Sequence, residues 1–446
     1  MNAKREQTIA AIATAQGLGG VAIIRISGEC AVSAAEAVFS AKSKKKLSEV
    51  SPCYLCYGTF SCGAFSDSGY AVRFAAPHSY TGEDVVELHC HGGYEAPRAL
   101  LGAVLRQKGV RLADKGEFTR RAFLNGKLDL SGAEGVIDLI HAESTAEARA
   151  ADRLLEGELG KTVTSEQQLL LDKLAAIEVL LDYPEEELPE ESRESLLSDL
   201  TAMQTRLQAL ADTYYRGSRV KAGVTVALCG PANAGKSSLL NRLLGEERAI
   251  VSCIPGTTRD VVEGTVELAG VKVRLLDTAG IRESVDIVEQ MGMERSVRAA
   301  QTADLVLRLK ESEQESFVAV PEDMPTVDIL TKADLRGESA GERADGVLLL
   351  SAATGEGIEV LRERLLQFVT ERATGDGLML TNERHYSALC RAIGALSECF
   401  SGFEDKPLDL VAFDLRAVWE TLGEITGSSA TEEILNTIFS RFCLGK

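Results

Sequence analysis

The sequence lacks an uncharged apolar run long enough to cross a membrane, although 45% of its 446 residues are hydrophobic. Because a spanning helix needs about 20 such residues, we expect no membrane association. The 10 cysteines show no disulfide-framework spacing, which predicts reduced thiols. Lys4-Arg5 before a short apolar stretch could mimic a signal peptide, but the run VAIIRI follows like a strand. We therefore expect a cytoplasmic protein.

An excess of positive charge is also missing. The chain has 48 Lys and Arg against 67 Asp and Glu, a formal net charge of -19. Residues 151–200 alone hold 14 acidic and 4 basic side chains. This balance excludes simple electrostatic binding to nucleic acid. If the protein acts on an RNA, we expect a more basic partner to supply much of the phosphate contact.

Clustered metal ligands are scarce as well. Cys53-x-x-Cys56 together with His89-x-His91 could form a zinc site. The cysteine pair lies in an apolar, strand-like stretch and the histidine pair in a glycine-rich turn. A structural role is therefore favoured over zinc for both pairs.

The hydrophobic pattern changes along the chain, and the length is typical of about three domains. Residues 1–120 alternate short strands and turns, which predicts an α+β domain. Residues 121–217 and 373–446 have helical spacing, while 218–372 alternate strands and helices, as in an α/β domain with a parallel sheet. Neither helical block suffices for a bundle alone. We therefore predict one α-helical domain built from both, with the α/β domain inserted between them.

The motif G-x-x-x-x-G-K-[ST] is present as GPANAGKS, Gly230 to Ser237. It follows an apolar run and precedes a helix-like run, the context of a phosphate-binding P-loop. Its backbone N–H groups would surround phosphate oxygens, Lys236 would reach the β and γ phosphates, and Ser237 would hold Mg²⁺. The predicted nucleotide contacts here are Asn233, Ala234, Gly235, Lys236, Ser237 and Ser238.

Four later segments complete a predicted guanine-nucleotide site. In GTTRD, Thr258 could bind Mg²⁺. The apolar strand that begins the segment VKVRLLDTAG ends at Asp277, whose carboxylate can hold the metal through water. In TKAD, Asp334 would accept two hydrogen bonds from guanine, and SAATGEG would present backbone N–H groups to the guanine carbonyl. The predicted contacts in these segments are Thr257, Thr258, Asp277, Thr278, Ala279, Gly280, Thr331, Lys332, Asp334, Ser351 and Ala352.

Two positions depart from the usual pattern. Thr331 replaces the Asn that begins the guanine-reading motif, and we expect guanine preference to survive with looser anchoring of the loop. Ile281 follows DTAG, where regulatory GTPases often carry a water-orienting Gln. Hydrolysis must therefore take its water-positioning group from elsewhere, or stay slow until a partner helps.

The motifs resemble the TrmE–Era–EngA–septin branch of GTPases, and the flanking segments resemble one family, the MnmE (TrmE) tRNA-modification GTPases, over the whole chain. The segments that carry the second resemblance are GGVAIIRISG, SYTGEDVVELHCHGG, GEFTRRAFLNGKLDL and FCLGK. The resemblance implies a potassium site beside the phosphates, formed by Asn233, the carbonyls of Ser252 and Ile254, and the Thr257 side chain. It also implies that this potassium supplies the charge of an arginine finger when two GTPase domains meet across a homodimer, and that Glu289 orients the attacking water.

For the N-terminal domain, the resemblance implies dimerisation and binding of a tetrahydrofolate derivative, 5-formyl or 5,10-methylene. The matching positions are Arg25, Glu87, Lys127 and Lys446; taken alone, these are ordinary surface salt-bridge residues. Cys443 lies near this site in the resemblance. Its thiol could be a nucleophile or redox-sensitive group, or a packed apolar residue, and the sequence leaves both open.

The activity that the resemblance implies is potassium-stimulated GTP hydrolysis coupled to tRNA modification. The partner would be MnmG, which uses FAD and NADH, in a heterotetramer-type complex. Together they would form the aminomethyl or carboxymethylaminomethyl group at carbon 5 of wobble uridine. Two alternatives remain: a GTP switch in ribosome assembly, and a purely regulatory switch with negligible turnover.

Overall fold

The structure is a computed structural model that describes residues 7–15, 17–182, 190–231, 233–246, 262–277, 302–373 and 377–446. By its internal contacts the chain divides into two compact units. The first comprises Met1–Ile137, Leu154–Glu187 and Lys406–Lys446, and the second comprises Asp138–Arg153 and Leu188–Asp405.

The first unit contains a mixed sheet in the order β3-β4-β5-β6-β2-β1-β7. Its strands are β1 (Thr8–Ile12), β2 (Val21–Ser27), β3 (Phe39–Ala41), β4 (Cys56–Ser61), β5 (Ser66–Phe74), β6 (Val85–His91) and β7 (Val110–Leu112). Neighbouring strands are antiparallel except β1 and β7. Alternation along β2 buries Ala22, Ile24 and Ile26, while Arg25 points to the opposite face.

Helices cover the apolar face of this sheet and extend the first unit. The helices with residues in this unit are α1 (Ala31–Val38), α2 (Glu95–Leu105), α3 (Glu117–Leu124), α4 (Leu130–His141), α6 (Glu158–Asp182), α12 (Leu408–Thr426) and α13 (Glu432–Ser440); a 3₁₀ turn spans Leu47–Glu49. Leu100 of α2 and Ala35 of α1 share the core of Ile24 and Leu88. Helices α6 and α12 pack together, and Gln167 Nε2 donates to the Trp419 carbonyl at 3.0 Å.

The second unit is built on a sheet in the order β13-β14-β12-β11-β8-β10-β9. Its strands are β8 (Val224–Cys229), β9 (Val262–Leu268), β10 (Val271–Asp277), β11 (Leu305–Lys310), β12 (Thr326–Leu330), β13 (Gly341–Glu342) and β14 (Leu348–Leu349). The inner strands are parallel, and β9 and β13 pair antiparallel at the edges. Every residue of β8 is buried, as expected for a central strand of a sheet covered on both faces.

The helices that contribute to the second unit include α5 (Thr145–Leu155), α7 (Glu190–Asp212), α8 (Tyr214–Ala222), α9 (Lys236–Glu246), α10 (Ile358–Ala373) and α11 (Glu383–Phe400), with a 3₁₀ turn at Ala333–Leu335. Helix α9 leaves the phosphate loop and buries Leu239, Leu240 and Leu243 in the core of the sheet. The Ala373 end of α10 is buried in the same core.

The predicted fold classes are confirmed: an α+β N-terminal domain, helical segments, and an α/β domain between them along the chain. Helices from both predicted helical blocks pair in each unit, α6 with α12 and α7 with α11. The boundaries near 120, 217 and 372 stay predictions. Within the described ranges, no helix combines the length and apolar character that crossing a bilayer requires.

Candidate nucleotide-binding site

The phosphate loop connects the end of β8 to the start of α9. Gly235 has φ 84° and Asn233 has φ 65°, in the left-handed region that Gly and Asn tolerate best. A Cβ at Gly230 would lie 2.4 Å from the Leu309 carbonyl oxygen, so only glycine fits between the loop and β11. Ala234 is buried in the core of the sheet. The backbone conformation of the loop therefore follows from the residues of the motif.

Lys236 and Ser237 lie at the first turn of α9, facing the end of β10. The ammonium of Lys236 donates to the carbonyls of Gly230 and Pro231, at 2.7 Å each. Burial lowers the pKa of Lys236, and the carboxylate of Asp277 opposes that shift. Ser237 Oγ donates to Asp277 Oδ2 at 2.7 Å. The structure thus brings together a buried ammonium and two oxygen atoms of the kind that Mg²⁺ prefers, as the motifs predict.

Parallel pairing of β8 and β10 explains why Asp277 meets Ser237. Asp277 pairs with Leu228 in the ladder, so both strands end at the same edge of the sheet. Ligands of open α/β sheets bind at this carboxyl edge. The positions predicted from separate motifs therefore converge on one site.

The TKAD segment follows β12 beside the phosphate loop. Thr331 donates to the Lys310 carbonyl through both its N–H, at 2.9 Å, and its hydroxyl, at 3.2 Å. Thr331 therefore anchors this loop to the end of β11 through its backbone and its side chain. Lys332 has φ 60°, and its ammonium lies 2.7 Å from a carboxylate oxygen of Glu311. Asp334 accepts a hydrogen bond from Ser351 Oγ at 2.6 Å, which orients its carboxylate.

The SAATGEG segment forms a tight loop after β14. Ser351 N–H donates to the Glu356 carbonyl, and Gly355 N–H donates to the Ser351 carbonyl, at 2.9 Å each. A Cβ at Gly355, where φ is 90°, would lie 2.1 Å from a guanidinium nitrogen of Arg242. Arg242 of α9 thus lies beside the SAATGEG loop. Arg242 and Glu311 belong to no motif, so neither was predictable from the sequence pattern.

Several predicted nucleotide and potassium residues lie outside the described residues, and their roles stay predictions. They are Ser252, Ile254, Thr257, Thr258, Thr278, Ala279, Gly280, Ile281 and Glu289.

A second polar cluster lies in the first unit, on the face of the sheet opposite α1 and α2. Arg25 and Glu87 pair directly across β2 and β6, with Nε and Oε1 2.9 Å apart. Arg25 also donates to the Gly445 carbonyl at 3.3 Å. Burial lowers the pKa of Lys446; the positive charge of Arg25 lowers it further, and Glu87 opposes both. Arg25, Glu87 and Lys446 therefore form one cluster.

The segment 442–446 is held against this sheet. Phe442 is 2% exposed, and a Cβ at Gly445, where φ is 91°, would lie 2.2 Å from the Ile12 carbonyl oxygen. Glycine is thus required for the close approach that delivers Lys446 to the cluster. Cys443 is exposed, and its carbonyl accepts from Gly116 N–H at 3.5 Å. The surface position differs from the packed alternative, and a chemical role for the thiol stays a prediction.

Two aromatic residues that were not among the predicted site residues flank Arg25. The guanidinium carbon lies 5.5 Å from the Tyr80 ring centroid and 5.8 Å from that of Phe118. Tyr80 belongs to the SYTGED run, which was a signal for its involvement. The fourth predicted residue, Lys127, donates from its ammonium to the Pro77 carbonyl at 3.0 Å.

In the structure, the two histidines of the candidate zinc site contact carboxylates. His91 Nδ1 lies 2.5 Å from Asp67 Oδ1, and His89 Nε2 lies 3.4 Å from Glu87 Oε2. Cys53 is exposed, whereas Cys56 is buried and its pKa is raised by burial. Among the residues that the structure places, no group of three or more His, Cys, Asp or Glu could hold a metal ion.

The sheet with its parallel inner strands, the loop from β8 to α9, and the hydrogen bonds of Ser237 with Asp277 and of Ser351 with Asp334 define a P-loop GTPase domain within a multidomain protein. The family model described as the MnmE helical domain matches residues 130–443, and that of the GTP-binding protein TrmE N-terminus matches residues 8–127. The chain belongs to the MnmE family of tRNA modification GTPases, and it is a GTP hydrolase.

Individual relatives match along nearly their whole length. The tRNA modification GTPase MnmE of Clostridioides difficile is 39% identical over 457 residues, which cover 99% of each chain. The protein of the same name from Bacillus subtilis is 41% identical over 459 residues, which cover 98% of this chain and all of that protein. Among solved structures, the G domain of the T. maritima FeoB iron transporter covers 33% of this chain, at 27% identity and a TM-score of 0.24.

Proposed function

We propose that this protein is a potassium-stimulated, homodimeric GTPase that modifies carbon 5 of wobble uridine in certain tRNAs, together with an MnmG-type partner and a tetrahydrofolate one-carbon donor. The observation that carries the proposal is the cluster of Arg25, Glu87 and Lys446, placed together by the close approach of Gly445 to Ile12. A switch protein that only binds GTP has no need of such a cluster in a separate unit.

The cluster has the donor and acceptor groups that a reduced folate requires. Arg25 and Lys446 are cations that can bind the glutamate carboxylates, and the carboxylate of Glu87 can accept from the N–H groups of a pterin edge. Ion pairing and hydrogen bonding keep the pKa of Glu87 below its usual range despite burial, so its carboxylate is ionised at neutral pH. A bound folate would supply the one-carbon unit. The protein's part is to orient it.

The GTPase site can bind and orient the nucleotide through the residues already described. Lys236 would leave the carbonyls of Gly230 and Pro231 to bind the β and γ phosphates, while Ser237 and Asp277 hold Mg²⁺ directly and through water. Potassium, held in part by Asn233, would supply positive charge where negative charge develops. Water then attacks the γ phosphorus, the bond to the β-phosphate oxygen breaks, and GDP and phosphate leave.

Deleting the gene for this protein is expected to remove the carbon-5 aminomethyl-type substituents from wobble uridine while ribosome profiles stay normal. The measurement is mass spectrometry of nucleosides from total tRNA, alongside sucrose-gradient sedimentation of ribosomal subunits. Intact tRNA nucleosides with defective subunit profiles would instead support the ribosome-assembly alternative.

Asn233→Ala is expected to abolish the preference for potassium over sodium in GTP turnover while nucleotide binding stays largely intact. Asn233 is exposed at the left-handed corner of the loop, where its side chain is free to take an ion. The measurement is kcat in KCl and in NaCl at equal ionic strength. Asn382→Ala, which removes the cap of α11, serves as a control that keeps the salt preference. Wild-type stimulation in Asn233→Ala would exclude this role.

Arg25→Ala is expected to weaken binding of 5-formyltetrahydrofolate by about 10- to 100-fold, the effect of losing a hydrogen-bonded charge. The measurement is isothermal titration calorimetry on the full-length protein, with GTP turnover as a second readout that stays unchanged. Arg98→Ala is the matched control, since Arg98 is an exposed arginine of the same unit, paired at 3.7 Å with Glu95. Equal folate affinity in the two variants would contradict the proposed site.

A further inference from the structure

The segment 138–153 docks on the edge of the GTPase sheet, at the turn between β9 and β10. Ala146 N–H donates to the Gly270 carbonyl at 2.8 Å, and Ala146 and Ala150 pack against the apolar core of the sheet. Thr145 N–H donates to Glu267 Oε1 at 3.4 Å. The segment therefore contacts both strands of the β9–β10 hairpin, which are strands of the nucleotide-binding sheet.

A group of three charged residues ties the segment to β10, and we name Glu143, Glu147 and Lys272 the hairpin clamp. The ammonium of Lys272 lies 3.1 Å from a carboxylate oxygen of each glutamate. The side chains of Lys272 and Glu147 are 13% and 9% exposed, so this pair is largely removed from water. A cavity of about 250 Å³ adjoins the clamp and is also lined by Asp138 and Lys221, themselves paired at 2.6 Å.

The energetics of the clamp make it sensitive to small shifts of β10. Two carboxylates share one ammonium at a partly buried place, where an ion pair is stabilising only while its geometry is kept. A small displacement of Lys272 moves its positive charge away from the carboxylates of Glu143 and Glu147 and leaves their negative charges poorly balanced. The clamp thus favours one position of the β9–β10 hairpin relative to the segment 138–153.

The same strand reaches the phosphate site. Lys272 is near the start of β10 and Asp277 is at its end, where it accepts from Ser237 Oγ. Strand β10 is hydrogen-bonded along its length to β9 and, over most of it, to β8. Because β10 is hydrogen-bonded on both sides, we expect it to shift as a unit. A displacement of Asp277 on binding of Mg²⁺ and the γ-phosphate would therefore also displace Lys272.

We propose that Lys272 is a positioning residue that makes docking of the segment 138–153 depend on the nucleotide bound at the Asp277 end of β10. The clamp holds the segment in one nucleotide state and loosens it in the other. Along the chain, the residues before and after the segment belong to the first unit. Docking of the segment is therefore a route by which the nucleotide bound at the GTPase site affects residues outside the GTPase domain. This role depends on the GTPase site and not on folate or tRNA chemistry.

The amide of Ala146 reports docking directly, because it donates to Gly270 across the contact. The test is hydrogen–deuterium exchange of the full-length protein with GDP and with a non-hydrolysable GTP analogue. In the wild type we expect exchange of the Ala146 amide to differ at least about threefold between the two nucleotides. In Lys272→Ala we expect the Ala146 amide to exchange with both nucleotides about as fast as in the looser state of the wild type, so that the nucleotide difference is lost at unchanged GTP affinity. Lys272→Arg should restore the nucleotide dependence.

Arg364→Ala is the matched control, since Arg364 pairs with Glu342 at the opposite edge of the same sheet, and it should behave as the wild type. Identical Ala146 exchange in the two nucleotides in the wild type would overturn the proposal, as would a wild-type nucleotide difference in Lys272→Ala. If Lys272→Ala does not fold, Glu143→Gln decides, because Glu143 is the more exposed carboxylate of the clamp. A smaller nucleotide difference in that variant supports the proposal, and an unchanged one contradicts it.

Discussion

Lys236→Ala is expected to lower kcat/KM for GTP by about 100- to 1,000-fold. Lys236 is 6% exposed and its ammonium already donates to two loop carbonyls, so the loop holds a cation in place before any nucleotide arrives. Removing it deletes the charge that faces the β and γ phosphates, where negative charge accumulates during hydrolysis. Phosphate release under saturating and limiting GTP separates the losses in kcat and KM.

Lys310→Ala is the matched control for this result. Lys310 belongs to β11 of the same sheet, and its ammonium lies 4.3 Å from the centre of the Phe317 ring. Its backbone carbonyl, which anchors Thr331, is kept in the variant. We expect turnover within about twofold of the wild type. Equal activity of Lys236→Ala and Lys310→Ala would show that the phosphates bind elsewhere.

Asp334→Asn is expected to weaken GTP binding by about 100-fold or more and to create binding of xanthosine triphosphate. The carboxylate can accept from two guanine N–H groups, whereas the asparagine amide presents a donor that fits the carbonyl of xanthine at the same position. A site built to accept hydrogen bonds from a base rejects a mismatched base, because the opposed donors and acceptors are left unpaired. Equilibrium titration of both nucleotides measures the switch.

The variant Ser351→Ala tests whether the loss of GTP binding in Asp334→Asn comes from altered base recognition or from damage to the loop. Ser351 Oγ donates to Asp334 Oδ1 at 2.6 Å, so Ser351→Ala loosens the carboxylate without changing its hydrogen-bonding character. We expect that variant to lose about tenfold in GTP affinity and to gain no affinity for xanthosine triphosphate. If Asp334→Asn lost GTP and gained nothing, Asp334 would be a structural residue of the loop.

The parts of the GTPase site that are local in the chain were predictable from the sequence. The phosphate loop is such a part, because Asn233 and Gly235 each suit the left-handed backbone at their own position. The fold classes were also predictable, since buried β8 and the amphipathic helices appear as hydrophobic periodicity. Arg242 and Glu311 were not, because their contacts depend on which helix and which loop the sheet brings together.

By itself, the sequence determined the nucleotide chemistry, the fold classes and the family resemblance, all of which rest on residues close together in the chain. The tertiary structure decided the contacts between distant segments: Ser237 with Asp277 across 40 residues, Arg25 with Glu87 across 62 and with Gly445 across 420. It also placed Lys272 between Glu143 and Glu147. The physical reason is that strand order and register set these distances, and both arise from packing of the whole sheet rather than from any one segment.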